Sequence, residues 1–375
     1  MRQNPLNRGG MHRMEEAKKS MSRPSSPLPP SVGVCLLNWN GWRDTLECLD
    51  SLRQQDYPNG LMIVVDNHSQ NESVEKIRSW GKAHLGDSGF ADYTGEVAGA
   101  GGDERQESLL RARKSLDRLV LIRNEQNTGF TGGCNVAIDY ALNKPDPVDY
   151  VFLLNNDTTV EPRCVTYLVE VAKESGAGII GAVLLDESGK EPVFNGRISM
   201  VGQFFYPLVN WHLPPPATNR DFWPSDCAHG GAMVIRADAL RAIRAQAGEC
   251  LRSGLFMYHE GAEFHYRAAR LGYHAVVAKH AVVYHKNAAS SGGTGNPIAY
   301  YYSERNRILV ANVVLPLSWK ILFHLVNMPL VSARILKNVV RGRRVEARAL
   351  MEGLADAYKG REGKWRRHDE QRPEV

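Results

Sequence analysis

Short apolar runs alternate with amphipathic helical patterns through the first half of the chain, and this alternation restricts the fold more than any other feature. Four runs, at residues 32–37, 61–65, 119–122 and 150–154, are short and continuously apolar, which is typical of strands buried on both faces. Helical patterns follow at 44–55, 135–142 and 162–173. The order predicts an α/β fold with a mostly parallel, Rossmann-like sheet and a ligand crevice at the carboxyl ends of the strands.

The chain divides into three parts by composition. Residues 1–30 combine Pro, Ser, Asn and charge, and we expect a disordered leader there. Residues 31–307 form the predicted folded domain, with 81–108 as a surface insertion because that segment is rich in Gly, Asp and Glu. Residues 308–375 are an apolar and basic extension of amphipathic helices. Polar residues and prolines interrupt its stretch 308–331, which predicts packing on the body or at a bilayer surface rather than a spanning helix.

The net charge of +5 is concentrated at the ends of the chain. Residues 1–30 carry a net charge of +4 and residues 334–375 carry +5, which leaves −4 for 31–333. An acidic body with basic flanks argues against a nucleic-acid groove and favours peripheral contact with an anionic membrane. The six cysteines form no CxxC pair, and no apolar stretch follows the early basic residues, so we expect a cytoplasmic protein, in part at the inner face of the cell membrane.

Polar residues follow three of the four predicted strands. Each of them taken alone could be a turn or a helix cap. Three such groups at successive strand ends instead indicate a binding site, because the carboxyl ends of parallel strands meet at one edge of a sheet. The groups are Asn38-Trp39-Asn40 after the first strand, Asp66-Asn67 after the second and Asn155-Asn156-Asp157 after the fourth.

Together with three further segments, these strand ends resemble family 2 glycosyltransferases, in particular their bacterial rhamnosyltransferase-like branch. The further segments are the Gly-rich stretch from Asn127 to Asn135, the stretch from Glu260 to Arg267, and Tyr284-His285. The resemblance extends from about Val32 to Arg307. It implies the type A glycosyltransferase fold (GT-A) and a nucleoside-diphosphate sugar as donor.

The resemblance also implies a role for each donor-side motif. The nucleobase of the donor would lie between Asp66 and Asn38-Trp39-Asn40, although Asp66 could instead cap a helix. Glycines would let the backbone approach the ligand, and a helix opened by Asn135 would favour phosphate. Arg305 could contact the diphosphate or lie on a solvated basic face. The predicted nucleotide-sugar residues are Asn38, Trp39, Asn40, Asp66, Asn67, Asn127, Gly132, Gly133, Asn135, Asn155, Asn156 and Arg305.

The predicted metal ligands are Asp157 and His285. Asp157 supplies one carboxylate at the end of a buried strand, and by resemblance a Mg²⁺ or Mn²⁺ ion would complete its shell with diphosphate oxygens and water. A structural turn at Asp157 and a structural role for His285 are the alternatives. The Gly- and Ser-rich segment 288–295 could close over the donor as a lid.

The predicted general base, the group that takes the proton of the acceptor hydroxyl, departs from the family pattern. The family usually supplies it from a Glu-Asp pair that opens a helix, but here Glu260 is followed by Gly261. We expect Glu260 to be the base, with Glu263 one turn later to position the acceptor or to substitute for it. The alternative is that both acids only stabilise the start of a helix.

The motifs together predict an inverting hexosyltransferase of the EC 2.4 type, with a role in envelope polysaccharide synthesis. It would move one sugar, rhamnose being the one that the branch suggests, to a lipid-linked or polysaccharide acceptor. A processive synthase is disfavoured because the sequence has neither several clean spanning helices nor a Gln-x-x-Arg-Trp motif. The alternative from another class is a catalytically impaired nucleotide-sugar-binding protein, since Gly261 replaces the usual acid.

Overall fold

The computed structural model describes residues 28–210, 212–286 and 296–366. The predicted leader, up to residue 27, and the predicted lid lie outside them. The strands are β1 (Val32–Asn38), β2 (Gly60–Asp66), β3 (Phe90–Thr94), β4 (Leu119–Arg123), β5 (Tyr150–Asn155), β6 (Thr158–Val160), β7 (Ile179–Asp186), β8 (Pro192–Phe194), β9 (Arg197–Ile198), β10 (His212–Leu213), β11 (Phe222–Ser225), β12 (Ala232–Arg236) and β13 (Ala275–His285). The helices are α1 (Trp42–Arg53), α2 (Ser73–Gly89), α3 (Gly95–Gly99), α4 (Glu104–Arg111), α5 (Gly129–Asn143), α6 (Cys164–Ser175), α7 (Ala237–Ala247), α8 (Glu260–Arg270), α9 (Pro297–Val314), α10 (Leu317–Val340) and α11 (Arg344–Tyr358), with 3₁₀ turns at Gly202–Phe205 and Ser253–Leu255.

The first half of the chain forms the parallel part of the sheet. Its strands pair in the order β5-β1-β2-β4-β3, and every one of these pairs is parallel. All four predicted strands are present, and β1 ends level with β2, so that Asn38 lies beside Asp66. The predicted α/β fold is confirmed, and the parallel register brings the polar strand ends to one edge.

The second half adds strands of mixed direction. β12 runs antiparallel between β5 and β7, whereas β13 runs parallel to β7. Short β6 pairs antiparallel with the end of β13 and sets His285 opposite Thr158. The sheet is therefore mixed beyond β5, and this pairing carries the last residue of β13 to the end of β5.

Apolar side chains cover both faces of the sheet, as the continuously apolar strands require. Leu36 and Val64 belong to the cluster on one face, and Ile63 and Val65 to the cluster on the other. α5 packs closely against β1: a Cβ added to Gly133 would lie 2.3 Å from a methyl group of Leu37.

The segment 81–108, expected to be a surface insertion, instead supplies the edge of the sheet. It contains β3, which pairs parallel with β4, the helix α3 and the first five residues of α4. Leu85, Phe90 and Ala98 are buried. The Gly-rich composition hid this role because the few apolar residues are spaced over three short elements.

The C-terminal helices pack on the body of the protein. The expected boundary at residue 307 falls inside α9, whose residues from Glu304 to Ala311 are buried. α10 and α11 follow, and α11 packs against α9. None of the helices in the described part of the chain is long and apolar enough to cross a membrane.

Candidate active site

The carboxyl ends of β1 and β2 are joined through the side chain of Asp66. Asn38 Nδ2 donates a hydrogen bond to Asp66 Oδ2 at 2.6 Å. Ser69 donates twice to the same carboxylate, from its hydroxyl to Oδ2 at 2.6 Å and from its backbone N–H to Oδ1 at 3.0 Å. Asp66 is buried and accepts bonds on both oxygens, so it shapes the turn as well as facing the crevice. The role of Ser69 is visible only once the turn is folded.

Thr45 connects this turn to the end of β5. Its hydroxyl donates to Asn38 Oδ1 at 2.9 Å and accepts from Asn156 Nδ2 at 3.0 Å. A continuous path of hydrogen bonds therefore runs from Asp66 to Asn156. Thr45 lies in the first turn of α1, and the sequence gives no signal for it beyond its place after the first polar strand end.

Asn40 is the exposed member of the first polar group. Its backbone adopts a φ of +57°, a conformation that Asn tolerates better than most residues. Its backbone N–H donates to Ser69 Oγ at 2.8 Å, and its Oδ1 accepts from the backbone of Gln70 at 2.8 Å. Trp39 beside it is half-buried.

A cleft of about 580 Å³, within the range of ligand pockets, adjoins this turn. It is lined by Asn40, Gly41, Trp42, Arg43, Asp44, Asn71 and Glu72.

Asn67 and Asn127 hold the loop that precedes α5. Asn67 is buried, and its Nδ2 donates to Asn127 Oδ1 at 3.1 Å and to the carbonyl of Gly129 at 3.0 Å. Asn127 Oδ1 also accepts from the backbone of Gly129 at 2.9 Å. Gly129 has a φ of +76°, and an added Cβ would lie 2.5 Å from the carbonyl oxygen of Phe256, so only glycine fits. The two asparagines fix the shape of the Gly-rich segment.

Three residues of the Gly-rich segment are placed differently from the prediction. α5 begins at Gly129, so Asn135 lies in its second turn and does not open the helix. Both polar atoms of Asn135 bond to the backbone of Leu251, at 2.7 and 2.8 Å. Gly133 packs against β1, as described above, and a Cβ at Gly132 would lie 2.6 Å from Cβ of Thr128. Close packing of the helix therefore accounts for both glycines.

Asp157 and His285 come together at the end of β5. The pairing of β6 with β13 brings His285 Nε2 to 3.6 Å from Asp157 Oδ1, and both side chains are buried. Asn155 Nδ2 lies 2.9 Å from the same Nε2. Because the amide nitrogen is a donor, His285 Nε2 accepts, and its lone pair faces the end of β5.

The pair provides the oxygen and nitrogen ligands that a divalent cation would use. A carboxylate suits Mg²⁺ or Mn²⁺, and imidazole suits Mn²⁺ better than Mg²⁺. No group of three or more His, Cys, Asp or Glu side chains within the described ranges is arranged to hold a metal ion. A cation held by Asp157 and His285 would therefore take its other ligands from a bound diphosphate and water.

The turn His229-Gly230-Gly231 lies between the two halves of the site. A Cβ on Gly231 would lie 3.3 Å from Asn155 Nδ2, and one on Gly230 would lie 3.7 Å from Glu260 Oε1. His229 Nδ1 accepts from the backbone of Gly231 at 3.1 Å. Burial, with His285 and His212 nearby, lowers the pKa of His229 to about 4, so this side chain is neutral at pH 7. Sequence reasoning missed this turn, whose signal is the His-Gly-Gly before β12.

Glu260 is the first residue of α8, and its carboxyl group is turned inward. Its Oε2 atom is buried, and no hydrogen-bond partner for it lies among the described residues. Burial raises the pKa of Glu260 above its ordinary value. A carboxylate with one oxygen removed from water and left without a hydrogen-bond donor is a stronger proton acceptor than a fully solvated one, which is the property that a general base needs.

Glu263 is committed to a structural ion pair. Arg267 donates two hydrogen bonds of 2.8 Å to its two carboxylate oxygens. The same guanidinium donates to the carbonyls of Glu249 and Cys250. The geometry contradicts the expectation that Glu263 positions the acceptor or replaces the base, because its carboxylate is buried against Arg267 and anchors the segment before α8.

Gly261 leaves open space where the family pattern has an acid. A Cβ at Gly261 would meet no atom within 4 Å. The preceding loop is strained: Phe256, Tyr258 and His259 have φ values of +65°, +67° and +64°. Asn306 Nδ2 lies within 2.9 Å of the carbonyls of Leu255, Met257 and Tyr258 and holds this loop.

Arg305 belongs to the same support and not to the donor site. It is buried between Tyr301 and Tyr302, with its guanidinium carbon 5.2 and 4.9 Å from their ring centres. It donates to the carbonyls of Leu255 and Gly363 at 2.9 and 2.6 Å. The expected diphosphate contact is wrong for this conformation, since these bonds turn the guanidinium towards the protein interior.

Comparison with known families matches residues 99–244 to the family described as glycosyl transferase family 2. The matched segment includes Asn155, Asn156 and Asp157 and ends before Glu260 and His285. A curated relative, the low-salt glycan biosynthesis hexosyltransferase Agl10 of Haloferax volcanii, is 26% identical over 262 residues, which cover 70% of this chain and 78% of the relative. The resemblance to family 2 glycosyltransferases is confirmed.

Solved structures of low sequence identity share the fold. The mannosyltransferase PcManGT from Pyrobaculum calidifontis, in complex with GDP-Man and Mn²⁺, has a TM-score of 0.52 at 13% identity and covers 93% of this chain and 94% of its own. The structure of GalNAc-T7 with UDP, GalNAc and Mn²⁺ also has a TM-score of 0.52, at 14% identity, and covers 77% of this chain and 48% of its own. The GT-A fold expected from the motifs is confirmed.

Proposed function

We propose that this chain, a glycosyltransferase of family 2, moves one hexose with inversion from a nucleoside-diphosphate sugar to a glycan or lipid-linked acceptor. The observation that carries the proposal is that the turn 229–231 lies beside two groups of different chemistry, the end of β5 and the carboxyl group of Glu260. One half supplies a carboxylate and an imidazole 3.6 Å apart. The other half supplies the carboxyl group of Glu260, whose buried Oε2 atom has no hydrogen-bond partner among the described residues. An inverting transfer needs a group for the leaving diphosphate and a base for the acceptor.

Asp157 and His285 would hold a divalent cation at the donor half, with the cation replacing Asn155 Nδ2 as the partner of the His285 Nε2 lone pair. Relatives of the same fold were solved with a nucleotide or nucleotide sugar and Mn²⁺, which supports a divalent metal and a donor of this class. The bound cation would act as a Lewis acid for the departing diphosphate. We assign the nucleobase and ribose to Asp66, Asn38, Trp39 and Asn40, at the carboxyl ends of β1 and β2.

Glu260 is the proposed base. As the acceptor oxygen attacks the anomeric carbon, its proton passes to Glu260, and the bond from that carbon to the diphosphate oxygen breaks with its electron pair on the diphosphate. The neighbours of Glu260 support this role, because neither Arg267 nor any other described cation pairs with it. Rhamnose remains one proposed donor sugar, and the name of the curated relative supports a hexose in general.

Gly261 favours a second candidate, a nucleotide-sugar-binding protein without transfer. Incubation with a panel of nucleoside-diphosphate sugars, Mn²⁺ or Mg²⁺ and a membrane extract, with release of nucleoside diphosphate as the signal, separates the two. We expect release that requires both metal and extract. Metal-dependent nucleotide binding without release from any donor would instead establish the binding protein.

A further inference from the structure

α10 presents a largely apolar side to solvent, interrupted only by Ser318 and Ser332. Its buried residues, Phe323, Asn327, Val331 and Asn338, lie along one side of the helix. Six large apolar residues occupy an arc of about 100° elsewhere on its circumference, with exposed fractions from 41% to 75%. They are Leu317, Ile321, Leu325, Met328, Leu336 and Val339. Single exposed apolar residues are ordinary on proteins, but a row the length of a helix marks a contact surface.

A second group of exposed apolar residues lies on the turn that follows the 3₁₀ element Gly202–Phe205. Tyr206, Leu208 and Val209 are exposed there. The turn adjoins the start of α10, because the rings of Phe205 and Trp319 pack 5.6 Å apart. We call the six residues of α10 together with Tyr206, Leu208 and Val209 the apolar face.

The charge along α10 and its flanking turns has one sign. Residues 308–345 contain six Lys or Arg and no Asp or Glu. Lys337, Arg341, Arg343 and Arg344 are exposed at the end of α10 and just beyond it, and they take part in none of the ion pairs found in the described ranges. Anionic lipid headgroups attract such a cluster beside an apolar helix face. A second copy of this chain would offer it no acidic partner from the same face.

The apolar face is also connected to the proposed base. Phe204, in the 3₁₀ turn that leads to Tyr206, stacks on His259 with ring centres 6.4 Å apart and planes 15° apart. His259 directly precedes Glu260. The segment 204–209 therefore reaches from the apolar face to the acceptor half of the site.

We propose that the apolar face docks the protein on an anionic lipid bilayer, with α10 lying along its surface, and that the acceptor is linked to a lipid in that bilayer. The choice of acceptor rests on the proposed function, whereas the docking does not. A sugar carried by a membrane lipid would reach Glu260 beside the segment 204–209, without leaving the surface.

Vesicle co-sedimentation of the full chain tests the docking. We expect binding to vesicles of phosphatidylcholine with phosphatidylglycerol, weakened by salt, and much weaker binding to phosphatidylcholine alone. Replacement of Arg341, Arg343 and Arg344 by Gln should lower the partition coefficient on anionic vesicles about a hundredfold, since each charge contributes about fivefold. Replacement of Ile321, Leu325 and Met328 by Ser should lower it at least tenfold on the same vesicles.

Two matched variants control for charge and hydrophobicity. Lys82, Arg105 and Lys114 are exposed basic residues elsewhere, and their replacement by Gln should leave binding unchanged. Val97 and Leu109 are exposed apolar residues near the β3 edge, and their replacement by Ser should do the same. Equal loss with the control and test variants would overturn the proposal, as would equal binding to both kinds of vesicle.

Nucleotide binding separates this inference from the proposed function. A thermal shift with UDP or GDP and Mn²⁺ should be the same in the docking variants and the wild type. Vesicle binding without any nucleotide shift would refute the transferase and leave the docking intact. Nucleotide binding without vesicle binding, or a dimer that the Ser variant dissociates, would refute the docking.

For the acceptor, donor turnover should require the lipid extract of the source cells incorporated in vesicles, and turnover with their aqueous glycan fraction alone would refute the lipid linkage.

Discussion

The two halves of the proposed site, the donor half at Asp157 and the base half at Glu260, are held in place by different parts of the chain. Asp157 ends a central strand, and its neighbour Asn156 is tied through Thr45 to the first strand. Glu260 follows a strained loop that Asn306, in a C-terminal helix, holds by three carbonyl groups. The sheet edge thus positions the proposed metal ligands, whereas the proposed base depends on a distant helix. Binding and proton removal should therefore respond to different substitutions.

Glu260→Gln should have the largest effect on turnover. Loss of the base should lower kcat about 100- to 10,000-fold, while Mn²⁺-dependent nucleotide binding stays at the wild-type level. Measurement of nucleoside-diphosphate release beside a thermal shift tests both halves at once. A variant that keeps wild-type turnover would exclude Glu260 as the base.

The pH dependence should follow from the same carboxyl group. Burial raises the pKa of Glu260, so the carboxylate is lost as the pH falls through a value above the ordinary 4.5, and kcat/KM should fall there. Because the folded protein disfavours the charged form, the protonated group contributes stability below the unfolded pKa, and this contribution is lost as the pH rises through the folded pKa. At pH 7 the Gln variant should therefore be at least as stable as the wild type. An acid limb at or below the ordinary value would contradict this assignment.

Asp157→Ala should impair the donor half, the part of the site that we propose binds the metal and the nucleotide sugar. We expect metal-dependent donor binding to fall at least a hundredfold because the only carboxylate of the proposed metal site is lost. Titration of nucleotide with Mn²⁺ and with chelator measures the difference. Nucleotide binding in chelator should not change, which controls for folding, and an undiminished Mn²⁺ response would show that the cation is held elsewhere.

Glu263→Gln distinguishes the two acids of α8. Arg267 would lose its carboxylate partner, so the free energy of unfolding should fall by about 3 kcal/mol. Turnover per folded molecule should stay within a few-fold of wild type. Urea unfolding and kcat at low temperature measure the two quantities. Loss of kcat without loss of stability would restore Glu263 to the acceptor side.

The convergence of the polar strand ends could be predicted from the sequence because these residues stand directly after recognisable strands. Asn38, Asp66 and Asp157 needed only the rule that parallel strand ends meet at one edge. The expectations for Arg305 and Asn135 fail for a common reason: each is a polar residue on a helix, and its partners are backbone groups that only the folded chain brings near. Asn306 was missed for the same reason. Glu263 differs, because its partner Arg267 lies four residues later on the same helix, a spacing that the sequence already shows.

Asn306→Ala should weaken the base half without touching the donor half. The loop from Phe256 to His259 would lose the amide Nδ2 that contacts the carbonyls of Leu255, Met257 and Tyr258, and we expect kcat to fall about tenfold while the nucleotide dissociation constant stays unchanged. Asn312→Ala, an exposed position on the same helix, is the control. A purely structural role predicts lower stability with an unchanged kcat per folded molecule, and that result would refute positioning through Asn306.

Gly261→Asp should have the smallest effect and asks whether the missing acid matters. The Cβ meets open space, and an acidic residue replaces glycine in the first turn of a helix, so the free energy of unfolding should rise by about 0.5 kcal/mol. A second carboxylate beside Glu260 should also move the acid limb of kcat/KM to higher pH, because like charges raise the pKa of one another. If Glu260 already serves as the base, kcat at pH 8 should change no more than a few-fold. A tenfold or greater gain in kcat would mean that Glu260 is a poor substitute and that the natural chain acts mainly as a binding protein.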